Sequence, residues 1–260
     1  DRLRRSPSYL GAGRFSDPPQ LSDLKGFTLE SEEIRSLKSC KPGKCGMQLP
    51  EETMQQLQEG LDWSEPNLTS DLNDRFRRMA LTVLQRYQQD GNRALGPYRD
   101  SGRPFDVNDQ LRSLLGRAEA LPVYLPELAR YLLDYPSSKP EGVESMFYWE
   151  KVDFGLKPTL RLNHAIAYQS AGPRGAAHVV MVKQIYASHY FELALDLTAC
   201  VTQRGRTGEK GFYLISLKGS TQEGLTGFMG SLLRMIVVSR TRSAQEKLLV
   251  NIKRALEAKP

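Results

Sequence analysis

This chain of 260 residues lacks long apolar runs and has only three cysteines and three histidines. Its longest apolar stretch, residues 231–238, is interrupted by Arg234 and falls far short of the ~20 residues needed to span a bilayer. We therefore expect no transmembrane helix. The sequence also lacks a Gly-rich phosphate loop, a Gly-x-Ser-x-Gly elbow and a His-Glu-x-x-His motif, so no strong catalytic signature points to a reaction.

The composition is that of an ordinary globular protein, with 40% apolar and 25% charged residues. The formal net charge of +6 is compatible with a nucleic acid or an anionic membrane surface as partner. Between residues 71 and 134, however, the arginines are offset by carboxylates, and no nucleic-acid-binding motif accompanies them. We therefore do not expect a nucleic acid as partner, whereas contact with a membrane surface or an envelope protein stays open.

Two of the cysteines, Cys40 and Cys45, frame the sequence Lys-Pro-Gly-Lys, with Pro-Gly at the two central positions of a type II turn. We predict that they form a disulfide, which implies an oxidising compartment. The alternatives are two reduced thiols on a surface turn and a metal site, for which no further Cys or His cluster supplies the remaining ligands. The chain begins at Asp1 without Met, which we interpret as the removal of either an expression tag or a cleaved export signal. Together these features predict a periplasmic or otherwise exported protein.

The chain divides into an extended arm over residues 1–30, a helical region over 31–140 and a strand-rich region over 141–260. The arm is rich in Pro, Gly and Ser, and we expect it to contribute little to the core. Apolar residues at helical spacing predict helices at 30–37, from residue 50, at 69–90, at 106–117 and at 124–135. Alternating apolar residues predict strands from 146, at 159–170, at 177–186, at 190–201 and at 211–218.

After the last predicted strand, the spacing of apolar residues changes from two to three and four, which predicts one long amphipathic helix over residues 225–257. Gly224, Gly227 and Gly230 lie on one side of its start and indicate close packing on the sheet, or a close approach to a ligand. We predict an α+β protein, in which the helical N-terminal region packs on a C-terminal antiparallel sheet that grips this last helix.

Two histidines are candidates for chemistry. His164 lies on the apolar face of its predicted strand with Ile166 and Tyr168, where it is either a core histidine bonded to the backbone or a ligand-binding or catalytic group. His189 lies at a strand junction close to Glu192, where it is either a turn residue or half of a proton-transfer pair.

Two segments resemble known proteins. The strand at 211–218 with the helix after it resembles the end of START-like, helix-grip proteins. That resemblance rests on Leu225, Phe228, Met229, Leu232 and Leu233. It implies a curved antiparallel sheet gripping a C-terminal helix, with a lipid, sterol or polyketide held between them. The stretch from Arg14-Phe15-Ser16 to the cysteine turn resembles exported bacterial proteins of unassigned function.

From these patterns we expect non-catalytic binding or carriage of a hydrophobic small molecule or lipid in the bacterial cell envelope, without a cofactor. The expected apolar lining is Phe147, Trp149, Ile166, Tyr168, Phe228, Met229 and Leu232. Arg234 or His164 is the expected polar anchor. The alternatives are an acid–base enzyme of the same fold, using His164 or His189 with Glu192 or Tyr168, and an envelope protein-interaction module without a cavity.

Overall fold

The computed structural model describes residues 9–96, 98, 106–154, 157–172, 175–204 and 210–222. It also describes helical residues 239, 242–243, 245–247 and 249–254 of the tail. Helices occupy the first half of the chain and an antiparallel sheet the second, so the predicted α+β class is confirmed.

The described helices follow one another between residues 31 and 134. They are α1 (Ser31–Leu37), α2 (Glu51–Glu59), α3 (Leu68–Asp90), α4 (Val107–Arg117), α5 (Ala120–Tyr124) and α6 (Pro126–Asp134). Short 3-10 turns lie at Leu21–Leu24 and Gly91–Ala94. The helices predicted at 69–90 and 106–117 therefore agree with α3 and α4 to within a residue, because both have clear apolar stripes and end signals.

Gly91 ends α3 with φ of 64°, in the left-handed region that glycine adopts without a steric penalty. A Cβ atom at this position would lie 1.6 Å from the carbonyl oxygen of Tyr135. The end of α3 and the segment after α6 therefore approach each other more closely than any other residue at position 91 would permit.

The sheet has six strands, each paired antiparallel with its neighbours in the order β1 to β6. The strands are β1 (Tyr9–Arg14), β2 (Glu144–Asp153), β3 (Pro158–Gly172), β4 (Gly175–Ala187), β5 (Phe191–Arg204) and β6 (Lys210–Gln222). Five of them match the predicted strands, whereas β1 was predicted only as an extended arm.

One side of the sheet, which we name the helix-facing side, carries the buried residues Leu162, His164 and Ile166 of β3. Helix α3 packs there through Tyr87 against His164, and α6 through Glu127, which accepts a hydrogen bond from the hydroxyl of Tyr168 at 2.8 Å. The helices of the first half therefore cover this side of the sheet.

The opposite side of the sheet carries a compact polar cluster. Arg161 forms an ion pair with Glu150 at 3.0 Å and donates to the side-chain oxygen of Gln184 at 3.1 Å. Asn163 donates to the same carboxylate of Glu150 at 3.0 Å. These hydrogen bonds compensate for the removal of the Arg161 and Glu150 charges from water.

The N-terminal segment contributes to the core, so the prediction that residues 1–30 add little to it is wrong. Phe15, Leu24, Phe27 and Leu29 are all buried. Trp149 holds this segment on the sheet, because its ring nitrogen donates to the backbone oxygen of Asp23 at 2.8 Å and its ring meets Phe27 edge to face. Gly11, Gly13 and Gly26 lie against the Trp149 ring, and composition alone does not distinguish such close packing from an extended arm.

The predicted C-terminal helix lies largely outside the described residues. Those of its residues that are described are helical, which agrees with the predicted period. Gln245 lies 3.4 Å from the hydroxyl of Ser216, a residue of β6 on the opposite side of the sheet. The start of this helix, with Gly224, Gly227 and Gly230, lies outside the described residues.

Replacing Phe27 with alanine tests whether the N-terminal segment belongs to the core. We expect Phe27→Ala to lower the free energy of unfolding by about 3–5 kcal/mol, because a fully buried aromatic ring is removed. Leu10→Ala is the control, since Leu10 is 51% exposed on β1 and should change stability little. Urea denaturation measures both variants, and equal small losses would contradict the packing described.

Candidate functional site

A cleft of about 370 Å³ opens where the end of α3, the start of α4 and the segment after α6 meet. Its described lining consists of Asp90, Asn92, Arg93, Asn108, Arg112, Leu133, Asp134, Tyr135, Pro136, Ser137 and Ser138. Most of these residues are polar or charged. The cleft therefore suits a polar ligand better than a wholly apolar one.

Two local features hold the walls of the cleft in place. Asn92, in the turn after α3, donates to the backbone oxygens of Leu132 and Leu133 at 2.8 and 2.7 Å, which ties that turn to the end of α6. Asp106 caps α4 by accepting from the backbone nitrogens of residues 108 and 109. Asn108 and Arg112 lie on the same side of α4, because they are four residues apart on this helix.

The four charged side chains of the cleft are not engaged with one another. Arg93 and Arg112 are exposed, as are Asp90 and Asp134, and among the described residues none of the four forms an ion pair. In addition, the side-chain oxygen of Asn108 is buried without a hydrogen-bond partner within the described part of the chain. The cleft therefore offers two guanidinium groups to an acid and acceptor oxygens to a hydroxyl or ammonium group.

Behind the cleft lies a buried chain of three polar side chains. The ammonium of Lys183, on β4, donates to the side-chain oxygen of Asn92 and, at 3.4 Å, to the hydroxyl of Tyr87. That hydroxyl lies 3.1 Å from Nδ1 of His164, whose Nε2 has no partner among the described residues. We name Lys183, Tyr87 and His164 the buried relay. Asn92 is bonded to Lys183 of the relay and also lines the cleft.

Burial controls the protonation of the relay. It lowers the pKa of Lys183 from 10.5 to about 7, because the amine is fully removed from water. Burial, together with the positive charges of Lys183 and Lys139, lowers the pKa of His164 from 6.5 to about 3. Burial also raises the pKa of Tyr87 well above its usual value. At neutral pH, His164 is thus an uncharged acceptor for the Tyr87 hydroxyl, which leaves its Nε2 carrying the ring proton.

The candidate pocket residues on the strands share one side of the sheet. Phe147 stacks on His164 at 4.6 Å, while Trp149 packs against the N-terminal segment and Ile166 and Tyr168 are buried beneath the helices. The structure therefore brings Phe147 and His164 into contact, whereas the contacts of the Trp149 ring are with the N-terminal segment. The other candidates, Phe228, Met229, Leu232 and Arg234, lie outside the described residues, so the hydrophobic pocket stays a prediction.

The second candidate histidine, His189, is bonded to a residue that the sequence did not suggest. Its Nε2 lies 2.6 Å from the carboxylate of Glu33 on α1, and both side chains are buried. This pair connects the turn between β4 and β5 to the helical half. Nearby along the chain, the predicted disulfide between Cys40 and Cys45 is present.

The sequence interpretation missed Lys183, Asn92 and Tyr87 as members of a site. A signal for Lys183 was available, because it replaces an apolar residue in the alternation of Val179, Met181 and Ile185 along β4. A lysine at an inward-facing strand position is rare unless it is paired. No comparable signal distinguishes Asn92 from an ordinary turn residue.

Comparisons with known proteins supply no relative: no family model, curated protein or solved structure matches this chain. Within the described residues, no group of three or more His, Cys, Asp or Glu side chains is arranged to hold a metal ion. No described helix is both long and apolar enough to cross a membrane.

The depressed pKa of Lys183 predicts how stability changes with pH. Between pH 7 and the ordinary lysine value of 10.5, the unfolded chain holds a proton that the folded chain lacks, so stability rises with pH. The limiting slope for one proton is ~1.4 kcal/mol per pH unit. We expect Lys183→Met to remove this contribution between pH 7.5 and 9.

Urea unfolding at several pH values in that range measures the slope for both proteins. Lys38→Met is the control, because Lys38 is exposed at the end of α1 and its loss should leave the slope unchanged. Identical slopes for the parent protein and Lys183→Met would contradict the protonation assigned to Lys183.

Proposed function

We propose that this protein is a non-catalytic binding protein for a small acidic molecule that also carries hydroxyl or ammonium donors. The observation that carries this proposal is the cleft of about 370 Å³, in which Arg93 and Arg112 have no ion-pair partner among the described residues. A cleft of this size falls within the range of ~300–1,000 Å³ typical of small-molecule sites. A carboxylate or a similar acid can accept hydrogen bonds from both guanidinium groups.

The other polar groups of the cleft restrict the ligand further. Asp90 and Asp134 bring two negative charges close to the two arginines, so a ligand with several acidic groups would meet repulsion. The unpartnered oxygen of Asn108 and the hydroxyls of Ser137 and Ser138 suit a ligand with hydrogen-bond donors. We therefore favour a monoacid with several hydroxyl or ammonium groups, of which sugar acids and amino acids are examples.

The other hypotheses stay predictions. A lipid or another hydrophobic small molecule requires Phe228, Met229 and Leu232, which lie outside the described residues. Acid–base catalysis by His164 or His189 requires a histidine that reaches a substrate, and both side chains are buried with hydrogen bonds to Tyr87 and Glu33. Contact with an envelope protein or a membrane surface also stays a prediction.

The test compares D-glucuronate with D-glucose as ligand probes, because the two differ mainly in the acidic group. We expect calorimetric titration to detect D-glucuronate binding and no D-glucose binding. Arg112→Ala should weaken D-glucuronate binding by about tenfold or more, since a charge-assisted hydrogen bond is lost.

Arg117→Ala is the matched control, because Arg117 is also an exposed arginine of α4 and does not line the described cleft. It should leave the affinity for D-glucuronate unchanged. Equal affinity of all three proteins for D-glucuronate would place its binding away from the cleft. Failure of sugar acids, amino acids and inorganic sulfate alike to bind would overturn the proposal.

We further propose that the protein works in an exported, oxidising compartment such as the bacterial periplasm. The disulfide between Cys40 and Cys45 supports this, because disulfides in cytosolic proteins are usually reduced. Cys200 is a free thiol, so two of the three cysteines are paired.

Trapping thiols in intact native cells tests the compartment. Cells are quenched with acid, and the denatured protein is treated with a maleimide before and after reduction. We expect one modified cysteine before reduction and three after it. Three modified cysteines without reduction would indicate a reducing compartment and would contradict export.

A further inference from the structure

We infer that Lys183 is the buried counter-charge for the acidic ligand of the cleft, acting across the side chain of Asn92, so that ligand binding is coupled to proton uptake. This inference rests on the proposed function and adds a specificity-determining residue to it. Lys183 is a positioning residue in this account, because it does not itself line the described cleft.

Lys183 lies next to a residue that lines the cleft. Its side chain is completely buried on the helix-facing side of β4, and it donates to Asn92, which lines the cleft. The amide nitrogen of Asn92 is bonded to the backbone oxygens of Leu132 and Leu133. The amide oxygen of Asn92 is therefore held towards Lys183, with a single side chain between the amine and a ligand in the cleft.

The surroundings of Lys183 contain aromatic and polar side chains. Lys183 contacts Tyr87 of α3 and Asn92 directly. Tyr87 in turn contacts His164 of β3 and Tyr135 after α6, and Tyr135 contacts Tyr131 of α6. Of the more distant charged groups, Asp90 and Arg93 line the cleft, and Lys139 acts on His164. Among the described residues, no carboxylate forms an ion pair with Lys183.

A buried ammonium without a carboxylate is an unusual arrangement, because the charge loses its hydration and gains no opposite charge. Two weaker interactions support it here. The ammonium lies 4.8 Å from the centre of the Tyr87 ring, and the C-terminal end of α3, with its negative partial charge, is close by. Neither replaces a full negative charge.

An acid bound in the cleft would supply that charge. Because the intervening space is protein rather than water, attraction between the acid and the ammonium is screened less than attraction of the same range through water. Binding would therefore favour the protonated form of Lys183. By linkage, protonation of Lys183 would equally favour binding.

Proton uptake on binding makes the affinity for the acid depend on pH. Burial holds the pKa of free Lys183 at about 7, and the bound acid raises it. The affinity is therefore highest below pH 7 and falls as the pH rises above 7 towards the pKa of the complex. Each pKa unit by which the ligand raises Lys183 corresponds to about a tenfold loss of affinity.

The experiment uses D-glucuronate, because its carboxylate stays ionised between pH 6 and 9. Calorimetric titration at pH 6, 7.5 and 9, in buffers that differ in ionisation enthalpy, gives both the affinity and the number of protons taken up. For the parent protein we expect the affinity to fall by about tenfold or more from pH 6 to pH 9. We also expect proton uptake at pH 7.5.

Lys183→Met should show no proton uptake and the same weak affinity at all three pH values. Lys38→Met, which removes the same charge at an exposed position, should keep the parent profile. Asn92→Asp provides a second variant that leaves the lysine in place. A carboxylate at position 92 supplies Lys183 with an opposite charge but gives up the two hydrogen bonds to Leu132 and Leu133. The readout for this variant is therefore the loss of pH dependence and of proton uptake, and not the weaker affinity.

The outcomes separate this inference from the proposed function. Binding to the parent protein with no change in affinity and no proton uptake overturns the inference and leaves the proposed function in place. A profile that Lys183→Met shares with the parent protein also overturns it. Absence of binding by D-glucuronate, amino acids and inorganic sulfate overturns both.

Discussion

One buried amine, that of Lys183, joins the two halves of this protein through hydrogen bonds. The amine comes from the sheet, and its hydrogen-bond partners Asn92 and Tyr87 come from the helical half. Removing an ammonium from water is costly, so these partners must remain in place for the charged form to be tolerated. Asn92 also donates hydrogen bonds to the end of α6, and that contact forms one wall of the cleft.

Polar groups recur at the other contacts between the halves. The hydroxyl of Tyr168 bonds to Glu127, and His189 bonds to Glu33, each pair joining a strand or a strand turn to a helix. Apolar packing supplies most of the driving force for folding but is non-directional. Directed pairs of this kind specify one arrangement of helices on the sheet, which we take to be their role here. Lys183 differs from them because no described carboxylate balances its charge, and the proposed coupling of the core to ligand binding rests on this difference.

The N-terminal segment shows how a short strand completes the fold. β1 pairs with β2, and Trp149 packs beneath it against Phe27. A Cβ atom at Gly13 would lie 2.4 Å from the Trp149 ring nitrogen, so glycine is required for this approach. The glycine and proline content of the first thirty residues predicts an extended arm. The glycines instead permit the segment to lie close to a large aromatic ring.

The sequence by itself determined what depends on neighbours along the chain: the position of α3, the strands from β2 to β6 and the disulfide between Cys40 and Cys45. Apolar spacing, turn residues and end signals act over a few residues, so they can be recognised without a structure. Only the tertiary structure decided which partners are shared by residues far apart, as with Lys183 and Asn92, 91 positions away. Alternation along β4 indicates that Lys183 faces inward, but no local pattern specifies which helix end will receive it. The cleft depends on that long-range choice, because burial and hydrogen bonding are settled only when the helices pack on the sheet.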